Sequence, residues 1–231
     1  MHKKANIMAS ITYIGHSCFE IDLGGKIIFT DPWLDPKPRQ VERLIPPAVT
    51  AEKIKHADAI FITSSAFDHF DVHDVSVMVD GTFARVIAPD TVLSQLSIQD
   101  KFKVSASEGD SFEYYGMNID VLPVRNNSQG SVGYKIKAGG KSVYFCGDTY
   151  DFYGLAQVEA DVAIVPIGGT LTMDILSAVS AAKKMRVKYV IPSHYNTFSR
   201  IKADPDDFAR RVKHETKAEP VVLDIGQTAQ F

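Results

Sequence analysis

Four short polar segments carry the residues in this 231-residue chain that could do chemistry. Asp68 and His69 lie in Thr63-Ser64-Ser65-Ala66-Phe67-Asp68-His69-Phe70, Asp148 in Gly147-Asp148-Thr149, and His194 in Ser193-His194-Tyr195-Asn196. The fourth, Asn126-Asn127-Ser128, follows Arg125. Each comes directly after a stretch that reads as a strand, and substrates favour the carboxyl ends of strands in α/β proteins. Two imidazoles and two carboxylates gathered there suit a divalent ion with mixed nitrogen and oxygen ligands. The same side chains could equally form a buried Asp–His hydrogen-bond cluster with a structural task only.

The elements that must position these residues are legible from periodicity and turn chemistry. Ile11–Ile14 reads as a strand. Cys18–Leu23 and Lys26–Thr30 read as a hairpin closed by Gly24-Gly25. A proline-rich loop runs from Asp31 to about Val49. Ala51–Lys55 is expected to be a short helix capped by Thr50, Ala59–Ile62 a buried strand, and Val72–Val79 a helix. Arg85–Ala88 reads as a strand and Asp90–Leu96 as a helix. Phe112–Tyr115, Met117–Pro123, Ser131–Ala138 and Lys141–Cys146 read as strands. Val162–Pro166 is a further strand, Met173–Met185 a helix with Lys183 and Lys184 in its last turn, and Tyr189–Pro192 a strand. Asp204-Pro205 supplies a cap and first-turn proline for a helix through His214, and Val221–Leu223 closes as a strand. β-rich blocks thus interleave with βα units without a linker, which predicts one α/β (α+β) domain over residues 1–231.

Composition narrows the classes. Lys and Arg total 25 against 28 for Asp and Glu, a formal charge of −3, so no basic excess offers a nucleic-acid surface. No apolar run approaches a membrane span, and Met1–Asn6 does not lead into the apolar region of a signal peptide. Two cysteines, Cys18 and Cys146, make neither a disulfide framework nor a four-cysteine zinc site, so a cytoplasmic protein with reduced thiols is expected. The expected partner is a small-molecule substrate or ligand, and assembly into homo-oligomers stays open.

The chain resembles the metallo-β-lactamase-fold superfamily, in particular its small ascorbate-6-phosphate lactonase (UlaG-like) branch. The resemblance covers nearly the whole chain. It rests on Ile11-Thr12-Tyr13-Ile14-Gly15-His16-Ser17, Thr30-Asp31-Pro32-Trp33-Leu34, Phe145-Cys146-Gly147-Asp148-Thr149, Pro166–Asp174 and Ile191-Pro192-Ser193-His194-Tyr195-Asn196-Thr197-Phe198, in the family's order. It implies a four-layer αβ/βα sandwich with a metal site at one edge, between the sheets. It also implies ligand positions. Where the family has His-x-His-x-Asp-His, this chain reads Ser64-x-Ala66-x-Asp68-His69, and the third ligand of that position falls near Asn126. Ala66 has no donor, and Ser and Asn are poor zinc ligands beside imidazole, so one metal position of the family is expected to be lost. The other keeps all four groups, Asp68, His69, Asp148 and His194.

Two functional readings follow. In the first, one divalent ion (Zn, Mn or Fe) serves a hydrolase acting on a small ester, lactone or phosphate-bearing molecule, with Asp68 or Asp148 doubling as general base. In the second, no metal binds, catalysis is impaired, and the cluster supports a ligand- or partner-binding module. His16 is a candidate proton donor near the site, or else is tied to Asp31 by a hydrogen bond that fixes two strand ends. Asn126, Arg125 and Ser64 are candidate substrate contacts, Arg125 for an anionic group. His73 is expected on the first, exposed turn of its helix, with Asp71 as cap and Asp74 as capping-box partner. Cys146 is expected to pack as a small hydrophobe, Trp33 to anchor its loop, and His2, His56 and His214 to face solvent.

Overall fold

The computed structural model describes residues 9–231, so the reading of His2 and of the first residues lies outside it. Among the described residues, fourteen strands form two seven-stranded sheets. In the first, β1 (Ser10–Gly15), β2 (Cys18–Asp22) and β3 (Ile27–Thr30) run antiparallel. The parallel strands β4 (Ala59–Phe61), β5 (Arg85–Ala88) and β6 (Lys103–Ser105) continue it. The second sheet starts with the meander β7 (Ser111–Tyr114), β8 (Met117–Pro123), β9 (Val132–Ala138) and β10 (Lys141–Phe145). It then turns parallel through β11 (Glu159–Pro166), β12 (Arg186–Ser193) and β13 (Glu219–Pro220). The last strand, β14 (Thr228–Gln230), returns to pair with β1.

The parallel halves require crossovers, and helices supply them. α1 (Val72–Thr82) joins β4 to β5, and the single turn α2 (Asp90–Leu93) follows β5. α3 (Ile175–Lys184) joins β11 to β12, and α4 (Pro205–Glu215) leads from β12 to β13. Strands that lie under helices must be apolar on both faces. In β4, Ala59 and Phe61 join the core between the sheets, while Ile60 packs with Val75, Met78 and Val79 under α1. In β11, Val162 and Ile164 face the other sheet, while Ala163 and Val165 pack with Ala178, Ala181 and Phe208 beneath α3 and α4. Helix, sheet, sheet and helix thus stack in the four layers expected. No helix among the described residues is long and apolar enough to cross a membrane.

Several local expectations need correction. Ala51–Lys53 is one 3-10 turn, and Thr50 makes no side-chain cap. The helix at Asp90 stops at Leu93. Val221–Leu223 lies outside the strands; the closing elements are β13 and β14. Asp71 does cap α1, accepting from the His73 and Asp74 amides, but the Asp74 carboxylate accepts from Leu34 N (2.6 Å) and ties the Asp31 loop to the helix.

Candidate metal centre

The site forms where the two sheets meet at one edge. Two cross-sheet links hold that edge: the Tyr134 hydroxyl donates to Ile62 O (3.0 Å), and Val132 N donates to Thr63 O (3.0 Å). Immediately after β4, the turn that follows Thr63 carries Asp68 and His69. Asp31, just past β3 and fully buried, accepts from Thr63 N (2.7 Å), Thr63 Oγ1 (2.7 Å) and His69 Nδ1 (2.6 Å). The expected Asp31–His16 bond is therefore absent; Asp31 serves His69. Because the Nδ1–H donates to the carboxylate, His69 Nε2 is left facing inward.

Four further atoms converge on that nitrogen. Asp148 Oδ2 lies 3.1 Å from His69 Nε2 and 3.4 Å from His194 Nε2. Asp68 Oδ2 lies 3.4 Å from His194 Nε2 and 3.5 Å from His16 Nε2. Ligand atoms of His16, Asp68, His69 and His194 all fall within 4.8 Å of one another. Asp148 reaches the cluster because Gly147 turns with φ +57°; a Cβ there would sit 2.4 Å from Thr63 Oγ1. His16 and His194 also hold left-handed backbones, φ 61° and 55°, and His194 N donates to His16 O (2.9 Å) across the two halves.

The donors suit a divalent ion. Nε2 of His16, His69 and His194 and Oδ1 of Asp148 are buried without a hydrogen-bond partner. Orphaned buried polar atoms cost about 1–3 kcal/mol each, so a cluster of inward-facing lone pairs calls for a cation. The protonation pattern is polarised. Burial disfavours charge on His69, but the Asp148 and Asp31 carboxylates hold it well above the usual imidazole range. Burial likewise opposes charge on His194, and Asp148 and Asp68 raise it. Asp68, despite burial, is held well below the usual carboxylate range by His16 and His194, and Asp148 is lowered by His194 and His69. Burial and the adjacent His194 push His16 down to about 3.

The remaining predicted residues sort out differently. Asn126 Nδ2 donates to Asp148 O (2.7 Å) and its Oδ1 accepts from Ser128 N, so it shapes the loop behind Asp148 while also lining the cavity that opens on the cluster, where the sequence placed it. Ser64 Oγ accepts from Ala66 N (3.1 Å) within its own turn. Arg125 is exposed, 3.7 Å from Glu108 and stacked over Phe152, away from the cluster. His73 is exposed beside Glu52. The Cys146 thiol donates to Ile164 O (3.3 Å) in the apolar layer under α3, and burial pushes its pKa up. Trp33 is buried with Arg43 stacked over it and its carbonyl held by Arg43 Nη1 (2.7 Å), the loop anchor expected.

A cavity of about 460 Å³ opens on the cluster through Asp68, Asp148 and His194. Its walls include Phe67, Leu171, Phe198 and Arg200, none singled out from sequence. Arg200 is exposed and makes no ion pair among the described residues. A wider groove of about 1010 Å³ passes Lys137, Lys183 and Lys217, but none of the converging donors reaches it.

Fold and site together define a metallo-hydrolase-type αββα protein with one His/Asp cluster. A family profile described as "Beta-lactamase superfamily domain" matches residues 10–194. Relatives described as UPF0173 metal-dependent hydrolases match along almost their whole length. That of Thermofilum pendens is 30% identical over 97% of this chain and 100% of its own, and that of Hyperthermus butylicus is 32% identical over the same shares. Igni18, a metallo hydrolase of Ignicoccus hospitalis, superposes with a TM-score of 0.81 at 30% identity, covering 97% of this chain and 98% of its own. The chain belongs to the β-lactamase superfamily and, within it, to the UPF0173 metal-dependent hydrolase family.

Proposed function

We propose that the protein is a hydrolase with a single divalent ion, Zn, Mn or Fe, acting on a small ester, lactone or phosphate-bearing molecule. The observation that carries this is the convergence of Asp68, His69, Asp148 and His194, three of which (Asp68, Asp148 and His194) line a 460 Å³ cavity. A second position has little to bind with. Ala66 has no donor, Ser64 Oγ is spent within its own turn, and the Asn126 amide is engaged by Asp148 O and Ser128 N. An ion held by the four groups supplies Lewis acidity and a water acidic enough to react near neutral pH.

The chain's own side chains do the rest. Asp31 and Thr63 orient His69. Asp148 Oδ1, buried and without a hydrogen bond, takes up the proton of the attacking water, while Oδ2 stays engaged with the imidazoles. Phe67 and Phe198 exclude water from one wall and suit an apolar moiety. Arg200 takes over the anion-binding task assigned from sequence to Arg125, holding a phosphate or carboxylate at the rim. The lactone and ester end of the substrate range draws on the lactonase-branch resemblance of the opening and closing motifs.

One observation favours the second reading, a ligand-binding module without metal. The Asp148 and Asp31 carboxylates raise His69, and Asp148 and Asp68 raise His194, so protons on these two imidazoles would offset the Asp68 and Asp148 charges without an ion. Metal analysis of protein purified without an immobilised-metal column separates the two. About one ion per chain, lost in the Asp68→Ala/His194→Ala double variant, is expected, as four protein ligands hold one ion. Lactones, carboxylate esters and phosphoesters would then be screened. No ion after incubation with Zn²⁺, Mn²⁺ or Fe²⁺ would overturn the hydrolase reading, and two ions would overturn the single site.

A further inference from the structure

We propose that His16 is itself a ligand of this centre, so that three imidazole Nε2 atoms, from His16, His69 and His194, hold the ion alongside Asp68 and Asp148; this rests on the metal reading above. His16 lies in the β1–β2 turn, about 50 residues before the Asp68-His69 pair and outside the ligand positions that the resemblance implies. Three features of the structure converge on it.

The first is spacing. A five-donor shell with bonds of ~2.1 Å has edges of about 3.0–3.6 Å between neighbouring ligands. The contacts His16 Nε2–Asp68 Oδ2 (3.5 Å), Asp68 Oδ2–His194 Nε2 (3.4 Å), His194 Nε2–Asp148 Oδ2 (3.4 Å) and Asp148 Oδ2–His69 Nε2 (3.1 Å) lie in that range. They leave all three nitrogens without a hydrogen bond. His16 stands in this chain of edges on the same footing as His69.

The second is the tautomer. Thr197 Oγ1 gives its single proton to Tyr195 O (3.2 Å). Toward His16 Nδ1, 3.1 Å away, it then only accepts, and on that pairing we assign the ring proton to Nδ1. Nε2 is left with a bare lone pair, fully buried and aimed at a carboxylate oxygen. Two lone pairs facing each other repel; a cation between them makes the contact attractive. A ligating histidine typically donates its other ring N–H to a fixed acceptor, and Thr197 does for His16 what Asp31 does for His69.

The third is support. The His16 ring is packed among Trp33, His194 and Phe198, with centroids 5.1, 4.2 and 5.8 Å away. Its carbonyl accepts the His194 amide, so one cross-sheet hydrogen bond sets both rings together. Ala66 leaves the Asp68-His69 turn one imidazole short, and His16 supplies an imidazole from the opposite side.

The test is the proton spectrum of the Co²⁺-loaded full chain, in which each coordinated imidazole with a protected Nδ1–H gives one hyperfine-shifted exchangeable resonance. Wild type is expected to show three, and His16→Gln two, with Co²⁺ affinity lowered at least ~100-fold, beyond the 10–100-fold typical of an outer-shell loss. Thr197→Val is expected to keep all three and to weaken binding about 10-fold, as an outer-shell change does. Two resonances in wild type, or an unchanged number in His16→Gln, would overturn the assignment while leaving the metal site standing. Failure of wild type to bind Co²⁺, Zn²⁺ or Mn²⁺ would instead overturn the parent reading and this one with it. If His16→Gln does not fold, the wild-type count decides alone.

Discussion

Asp31→Asn probes how the centre is oriented without touching any group that faces the ion. Asp31 is fully buried and accepts three hydrogen bonds. Asparagine fills the same volume, and its carbonyl can keep the Thr63 amide. Its NH₂ then replaces Oδ2 and faces His69 Nδ1 at the 2.6 Å contact, donor against donor. Relief requires the imidazole to move its proton to Nε2 or to turn, and a protonated Nε2 cannot ligate. A charge-assisted hydrogen bond contributes about 1.5–3 kcal/mol. Outer-shell losses at metal sites run about 10–100-fold, or about 1.4–2.7 kcal/mol, the same range reached independently. Zn²⁺ titration against a chromophoric chelator, with thermal melts in parallel, measures this. A loss of about 10–100-fold is expected, with folding retained. Asp31→Ala is less diagnostic, since it strands three buried donors together. An Asp31→Asn variant that folds and binds within about 3-fold of wild type, well short of the outer-shell range, would refute the account of the His69 tautomer.

Two further perturbations test the surroundings. Gly168→Ala places a Cβ 2.2 Å from His194 O and 2.9 Å from Ile201 Cβ. Overpacking of about 1–3 kcal/mol should lower the melting temperature and weaken metal binding together, and a drop in melting temperature with unchanged affinity would uncouple His194 from this packing. Burial pushes the Asp74 carboxyl from 3.8 up to about 6. A raised folded-state pKa favours the protonated folded form, so this contribution is complete below about pH 4 and is lost as pH rises through about 6, for about 3 kcal/mol in all. Asp74→Asn keeps an acceptor for Leu34 N and should remove that slope; urea unfolding at pH 4, 6 and 8 giving parallel trends for both proteins would contradict it.

Much of the scaffold was legible because its signals are local. Gly24 and Gly25 take φ +68° and +83°, the pair a two-residue hairpin turn requires, and Asp204 and Pro205 begin α4 as their types dictate. Asp68, His69, Asp148 and His194 do come together, since each follows a strand that ends at the same edge. What escaped depended on partners far away in sequence. β6 and β14 are three residues each and mostly polar; they are strands because a neighbour offers an open edge. Asp74 has the type and spacing of a capping partner, yet its carboxylate is drawn to Leu34. The choice of His69 over His16 by Asp31 depends on how the Thr63 turn folds over β3, and Arg200 reaches the cavity only because the Phe198–Ile201 turn lies beside His194. Neither leaves a mark in the spacing of residues.

The left-handed backbones at His16 and His194 have a further bearing on the molecule as a whole. Such a conformation costs a non-glycine residue of order 1–3 kcal/mol, and glycine would adopt it freely at both places. At the level of the backbone the chain thus carries a cost for having imidazoles there, set against the packing of the His16 ring on Trp33 and Phe198. Backbone ease and site integrity pull in opposite directions at these two turns. The strain persists at these two turns because the cross-sheet hydrogen bond between them over-determines their geometry, making the edge of the sandwich a place where stability is given up locally and recovered from the packed layers behind it.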